Sequence, residues 1–219
     1  MIKNNLLDTK LLELSQILKK VLEYKSKYEY EDGLFELKKA YKQLLGLNGD
    51  LVEKLNIEDV MALVSAHEAA EVYKLIILTK ILEAESDIYD SKNDIGKAIN
   101  FKLKSLQVFN RAILLDKETT LNTSKESIDQ IIEYLNTYEI HAKAYEIIME
   151  HFELMGRFDK AEDAFYDLLE ENKYNTEIIK LGINFYSRLL EKEKDELDKG
   201  NLTFLEVKEG LEYLQGLQM

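Results

Sequence analysis

The chain has no cysteine and no proline, and only nine glycines in 219 residues. Without cysteine there is no disulfide, no thiolate metal ligand and no cysteine nucleophile, and the usage fits a reducing compartment. Without proline nothing blocks long helices, because proline removes a backbone donor and clashes with the preceding turn. Basic charge is also scarce: 29 Lys and Arg stand against 42 Asp and Glu, a net charge of −13. Such a surface repels phosphate backbones and anionic lipid, so neither nucleic acid nor a membrane is an expected partner. Long apolar runs are missing too. The longest aliphatic run, Leu75 to Leu78, is far too short to cross a bilayer. The opening stretch MIKNNLLDTKLLELSQILKK has no apolar core before a small-residue cleavage site, so no signal peptide is expected and a cytoplasmic location is.

What remains is apolar and periodic. Apolar residues make up 46% of the chain, with 13 Tyr and 8 Phe, the composition of a folded globular protein. Leu7, Leu11, Leu14, Leu18 and Val21 repeat at helical spacing, and Leu6, Leu12, Ile17 and Leu22 widen the stripe. This predicts a first helix from about Asn5 to Tyr28, covered on two sides by its own domain or by a second copy. A second helix is expected from Glu31 to Leu45, ended by Gly46-Leu47-Asn48-Gly49. Asn56 with Asp59 opens a short helix through Val64, and a long helix follows from about Ala66 to Ser91. Asn93-Asp94 is the next corner, before a helix to about Leu115. The polar stretch Asp116 to Ser124 reads as an exposed loop and the place where the chain would subdivide. Thr123 with Glu126 reads as a capping box for a helix to about Asn136. Asn175-Thr176-Glu177 is expected to open one helix to about Lys199, and Thr203 with Glu206 to cap the last one. No run alternates with period two between turn signals, so no strand is predicted.

The strongest local signal lies between Lys143 and Glu171. Tyr145, Ile148 and Phe152 lead to the turn glycine Gly156, and Phe158, Ala161 and Phe165 follow in a second helix. This hairpin resembles the tetratricopeptide repeat (TPR), although Met149, Leu168 and Lys173 stand where that motif has small residues or proline. A similar frame fits Leu82, Tyr89, Ile95 and Ala98, and another fits Ile17, Val21, Tyr24, Tyr30, Gly33, Leu37 and Ala40. The copies lie 65 and 63 residues apart (Gly33, Ala98, Ala161) rather than 34, so short helices near Ile57–Val64 and Ile128–Asn136 fill each unit. The resemblance implies an all-α, TPR-like superhelix of antiparallel hairpins, forming one elongated domain over residues 1–219. Gln43-Leu44-Leu45-Gly46-Leu47 and Ile57-Glu58-Asp59 also resemble an uncharacterised bacterial family of TPR-like proteins without an assigned activity.

Chemistry finds little support. His67-Glu68-Ala69-Ala70-Glu71 is a near-miss of the zinc helix pattern, with Glu71 where the second histidine belongs. The residues three before His67, His141 and His151 are Val64, Tyr138 and Ile148, so no Glu-x-x-His di-iron pair exists. Phosphate-cradling glycine loops and a serine elbow are missing as well. No enzyme activity, metal or cofactor is expected.

A partner-binding stripe is the sharper expectation. Aligned copies place Lys80, Glu83, Asp87 and Asp90 opposite Lys143, Glu146, Glu150 and Glu153, each set on one helical face. In TPR proteins such positions line the concave surface, so the resemblance implies a groove for a protein or peptide, basic by charge complementarity. The bland alternative is a solvated face of local ion pairs. In the first copy Leu18, Leu22 and Lys25 replace the acids, which suggests that its inner face is covered. The tyrosines, among them Tyr24, Tyr28, Tyr30, Tyr73, Tyr89 and Tyr145, are expected to pack with their hydroxyls at the surface. The alternatives are a homodimer or larger assembly built on the first helix, and a regulator gated by a peptide or ligand.

Overall fold

The computed structural model describes residues 2–65, 71–138 and 140–217, leaving aside the side chains of 2–8 and 124–127. Every regular element among them is helical. The chain forms two compact units, Met1–Leu135 and Asn136–Met219.

In the first unit α1 (Ile2–Ser26) folds back on α2 (Tyr30–Ala40), which runs on as a π-helical turn, Tyr41–Leu45. Gly46 ends that turn at φ 73°, a left-handed conformation that a β-carbon disfavours. Two short helices follow, α3 (Gly49–Lys54) and α4 (Ile57–Val64), capped by the Asn48 and Asn56 side chains on the amides of Asp50 and Asp59. α5 (Glu71–Ser91) and α6 (Ile95–Leu115) make the most extensive pair in the molecule, turned at Asn93 (φ 61°) and capped by Asp94 on Lys97. α7 (Lys117–Leu135) packs on α6 and α5. The core is continuous, from Leu14 and Val21 through Leu37, Ala40, Tyr41 and Val60 to Leu78, Leu82, Phe101 and Val108.

In the second unit α8 (Ala142–Met155) and α9 (Phe158–Glu171) form the expected hairpin, with Gly156 at φ 74° between them. Phe152, Phe158 and Phe165 are all buried, and so is Met149. α10 (Thr176–Leu190), α11 (Lys194–Lys199) and α12 (Phe204–Gly216) complete the unit, with α12 opened by the Thr203–Glu206 capping box.

Three readings of the sequence are corrected. The stretch Asp116–Ser124 is not a loop: it begins α7, and Asp116 caps it by accepting from the Thr119 amide (3.0 Å) and hydroxyl (2.8 Å). The division between units falls instead at Leu135–Asn136. Thr123 is therefore no cap but an interior helical residue, its hydroxyl donating to the Thr119 carbonyl (2.8 Å). The helix expected from Thr176 to Lys199 is two helices, α10 and α11, broken at residues 191–193. His67, Glu68 and the expected start at Ala66 lie outside the described residues.

Candidate functional site

Lys80, Glu83, Asp87 and Asp90 all belong to α5, spaced so that they share one face. The first three meet α1 there. Leu18, Val21, Leu22 and Lys25 of α1 and Lys80, Glu83, Ala84 and Asp87 of α5 line a single open groove of about 200 Å³. Beyond its Lys25 end a shallower hollow of about 490 Å³ continues past Leu22 to Tyr28, Tyr30 and Ser91. The apolar floor is accessible: Leu22 is 60% exposed, while Val21 beside it is buried. Covering of the first copy's inner face, expected from Leu18, Leu22 and Lys25, is thus not what α1 displays within this unit.

Two carboxylates of the predicted stripe are held from behind, Asp87 at the groove and Asp90 outside its lining. Asp87 accepts from Lys102 of α6 at 2.8 Å, and Asp90 accepts from the Tyr134 hydroxyl of α7 at 2.7 Å. Lys102 also lies 5.3 Å from the Tyr134 ring centroid, a cation–π contact that holds both side chains. The Lys102 ammonium neutralises part of the predicted acidity, leaving an apolar trough with charges of both signs along its edges.

The other half of the predicted stripe belongs to the second unit. On α8, Lys143 pairs with Glu146 (3.2 Å), and Arg188 of α10 grips Glu153 through two hydrogen bonds of 2.9 and 2.6 Å. Glu150 is exposed. Ion pairs within this unit account for three of these four residues, and the exposed pair Lys143–Glu146, one turn apart, is worth well under about 1 kcal/mol.

A family model described as a family of unknown function, DUF6483, matches residues 1–219. The chain belongs to this family. No curated protein and no solved structure matches it. Clues to the function of a DUF6483 chain therefore lie in its own geometry, which includes two buried titratable groups, among others, that no sequence motif signals.

The first is on α5. Glu85 is 3% exposed, and the hydroxyl of Tyr41, itself wholly buried, donates to its Oε2 at 2.7 Å. Burial pushes this carboxyl up to about 7, against the Tyr41 hydrogen bond, which favours the charged form. Lys104 of α6 donates to the carbonyls of Val52 (3.0 Å), Glu53 (3.3 Å) and Leu55 (3.0 Å), closing the C-terminal end of α3 with a buried ammonium. The second is in the other unit, where His151 of α8 is 2% exposed and burial holds its imidazole down to about 4, and hence neutral. Both appear in the sequence as ordinary helical residues. Only the packing of neighbouring helices distinguishes them. Among the described residues no group of histidines and carboxylates has the arrangement of a metal site, and no helix is long and apolar enough to cross a membrane.

Proposed function

We propose that this DUF6483 protein is a non-enzymatic interaction module of TPR-like helical hairpins, and that the groove between α1 and α5 receives an apolar segment of a partner protein. One observation carries the reading. Leu18, Leu22 and Lys25 each stand 65 residues before Glu83, Asp87 and Asp90, the separation of Gly33 and Ala98 in the hairpin frame. Five of those six residues line the groove or its continuation or, like Leu22 and Lys25, both, so equivalent positions of successive hairpins share one surface. An accessible leucine floor between charged edges suits a helical or extended segment that inserts one or two apolar side chains. Paired charges at the rim favour orientation over raw affinity.

The test is partner capture by the full chain with single substitutions. Leu22→Glu places a charge on the floor at a site exposed enough to leave the fold intact, and it is expected to lose the partner at least tenfold. Leu12→Glu changes an equally exposed leucine of α1 (61%) outside the groove and is expected to retain it. Equal capture by both variants rejects the groove. A second reading is favoured by the same exposures: Leu12 and Leu22 on α1 could seat a second copy of the chain. Light scattering over a range of concentrations separates the two, since a strict monomer removes the homo-oligomer.

A further inference from the structure

Within the unit Met1–Leu135 a carboxyl sits where ionisation is costly. Among the described residues Glu85 makes no ion pair, and its hydrogen-bond donor is the Tyr41 hydroxyl. Tyr41 is the first residue of the π-helical turn Tyr41–Leu45, a local departure from the α-helix that such chains tend to keep at working sites. Immediately after that turn the chain enters α3, whose C-terminal carbonyls depend on the Lys104 ammonium. Turn, short helix and buried lysine are therefore arranged around one acid.

We propose that Glu85 is a proton-operated switch, whose release of a proton to solvent loosens the seating of the Tyr41–Leu45 turn on α5 and of α3 on the lysines of α6. This inference is independent of the groove. Its logic follows from the groups that face the carboxyl. Tyr41 stabilises the carboxylate by donating to it, and Lys38 of α2 and Lys104 of α6 stabilise it through their charge. Glu53 of α3 opposes it, and Tyr89, one turn along α5, is a neutral neighbour whose own hydroxyl is pushed up by burial, then by Glu53 and Glu85. When the proton leaves, a second negative charge appears beside Glu53, and among the described residues the buried anion has the Tyr41 hydroxyl as its donor. The structure answers such a charge by admitting water, and the segment able to open is the short one, residues 41–55.

Balance between the two states near neutral pH is what makes the device usable, since burial raises the group to about 7. The experiment is hydrogen exchange of the full chain, corrected for the intrinsic pH dependence, with the Glu85 carboxyl carbon followed by NMR from about pH 5.5 to about pH 8.5. Protection of residues 41–55 is expected to fall as pH rises, in step with a Glu85 titration centred near 7. In Glu85→Gln protection stays high and flat. In Tyr41→Phe the midpoint moves to higher pH, because the lost donor had favoured the charged form. A wild-type Glu85 carboxyl that titrates near the ordinary 4.5 overturns the proposal without reference to any variant. So does a titration near 7 that leaves exchange in 41–55 unchanged, or an exchange profile in Glu85→Gln that follows the wild type.

Discussion

At the scale of single residues the second unit is held to tight tolerances at Gly182, in the middle of α10. A β-carbon there would lie 2.2 Å from Cζ of Phe165 and 2.6 Å from Cδ1 of Leu214, both side chains being fully buried. Neither can yield without moving α9 or α12, because protein interiors pack at crystal-like density. Gly182→Ala is therefore expected to destabilise the fold by about 3 kcal/mol, the upper end of ordinary overpacking. Gly96, near the start of α6, is the control: nothing lies within 4 Å of its virtual β-carbon. Gly96→Ala is expected to be neutral or to stabilise by roughly 0.5 kcal/mol through helix propensity. Thermal or denaturant unfolding of both variants checks the pair, and equal effects would refute the packing argument. Sequence alone gives no reason to separate these two glycines. The difference arises from helices distant along the chain.

Elements were legible where their ends carry local chemistry, and illegible where they do not. Asn56, Asp94, Thr203, Gly46 and Gly156 each act on a backbone group within a few residues, so their roles can be read without tertiary structure. The start of α7 is not legible because Asp116, Thr119, Thr120 and Thr123 are residues that compete with helix in isolation. Here their polar groups are absorbed locally: Thr120 and Thr123 donate back to the carbonyls of Asp116 and Thr119, and Asp116 accepts from Thr119. The break between α10 and α11 carries no glycine or proline to announce it. Lys102 and Lys104 were equally opaque, since lysines on a helix normally mark its wet face. Both are largely buried here, their ammonium groups reaching Asp87 and the end of α3. The groove was legible only in part. Spacing put Lys80, Glu83 and Asp87 on one face, but not the exposure of Leu22 opposite them. Because Asp116 caps α7, Asp116→Ala is expected to cost about 1 kcal/mol and to increase fraying of residues 117–120 in hydrogen exchange, with α6 unaffected. An unchanged exchange pattern would return the segment to the status of a weakly held end.

At the scale of the molecule, each of the two units buries a group whose response to acid is opposite to that of the other. Glu85, in the unit Met1–Leu135, is raised, so the unfolded chain ionises near 4.5 while the folded one keeps its proton to about 7. Its contribution is complete below 4.5 and is lost as pH rises towards 7. His151, in the unit Asn136–Met219, is depressed by burial and then by Arg157. The unfolded chain takes a proton on falling below 6.5, whereas the folded histidine stays neutral to about 4. Its contribution is present above 6.5 and is lost during acidification, reaching on the order of 3 kcal/mol by pH 4. Lowering the pH from neutral thus strengthens one unit through Glu85 while it weakens the other through His151. The measurement is the pH slope of the unfolding free energy, which is less sensitive than its absolute value to any packing defect in the variant. Between pH 6.5 and about 4.5, His151→Gln should lose less stability than the wild type, and Glu85→Gln should lose more. If His151→Gln retains the wild-type slope, the imidazole reaches its proton in the folded state, and the buried environment assigned to it on α8 is wrong.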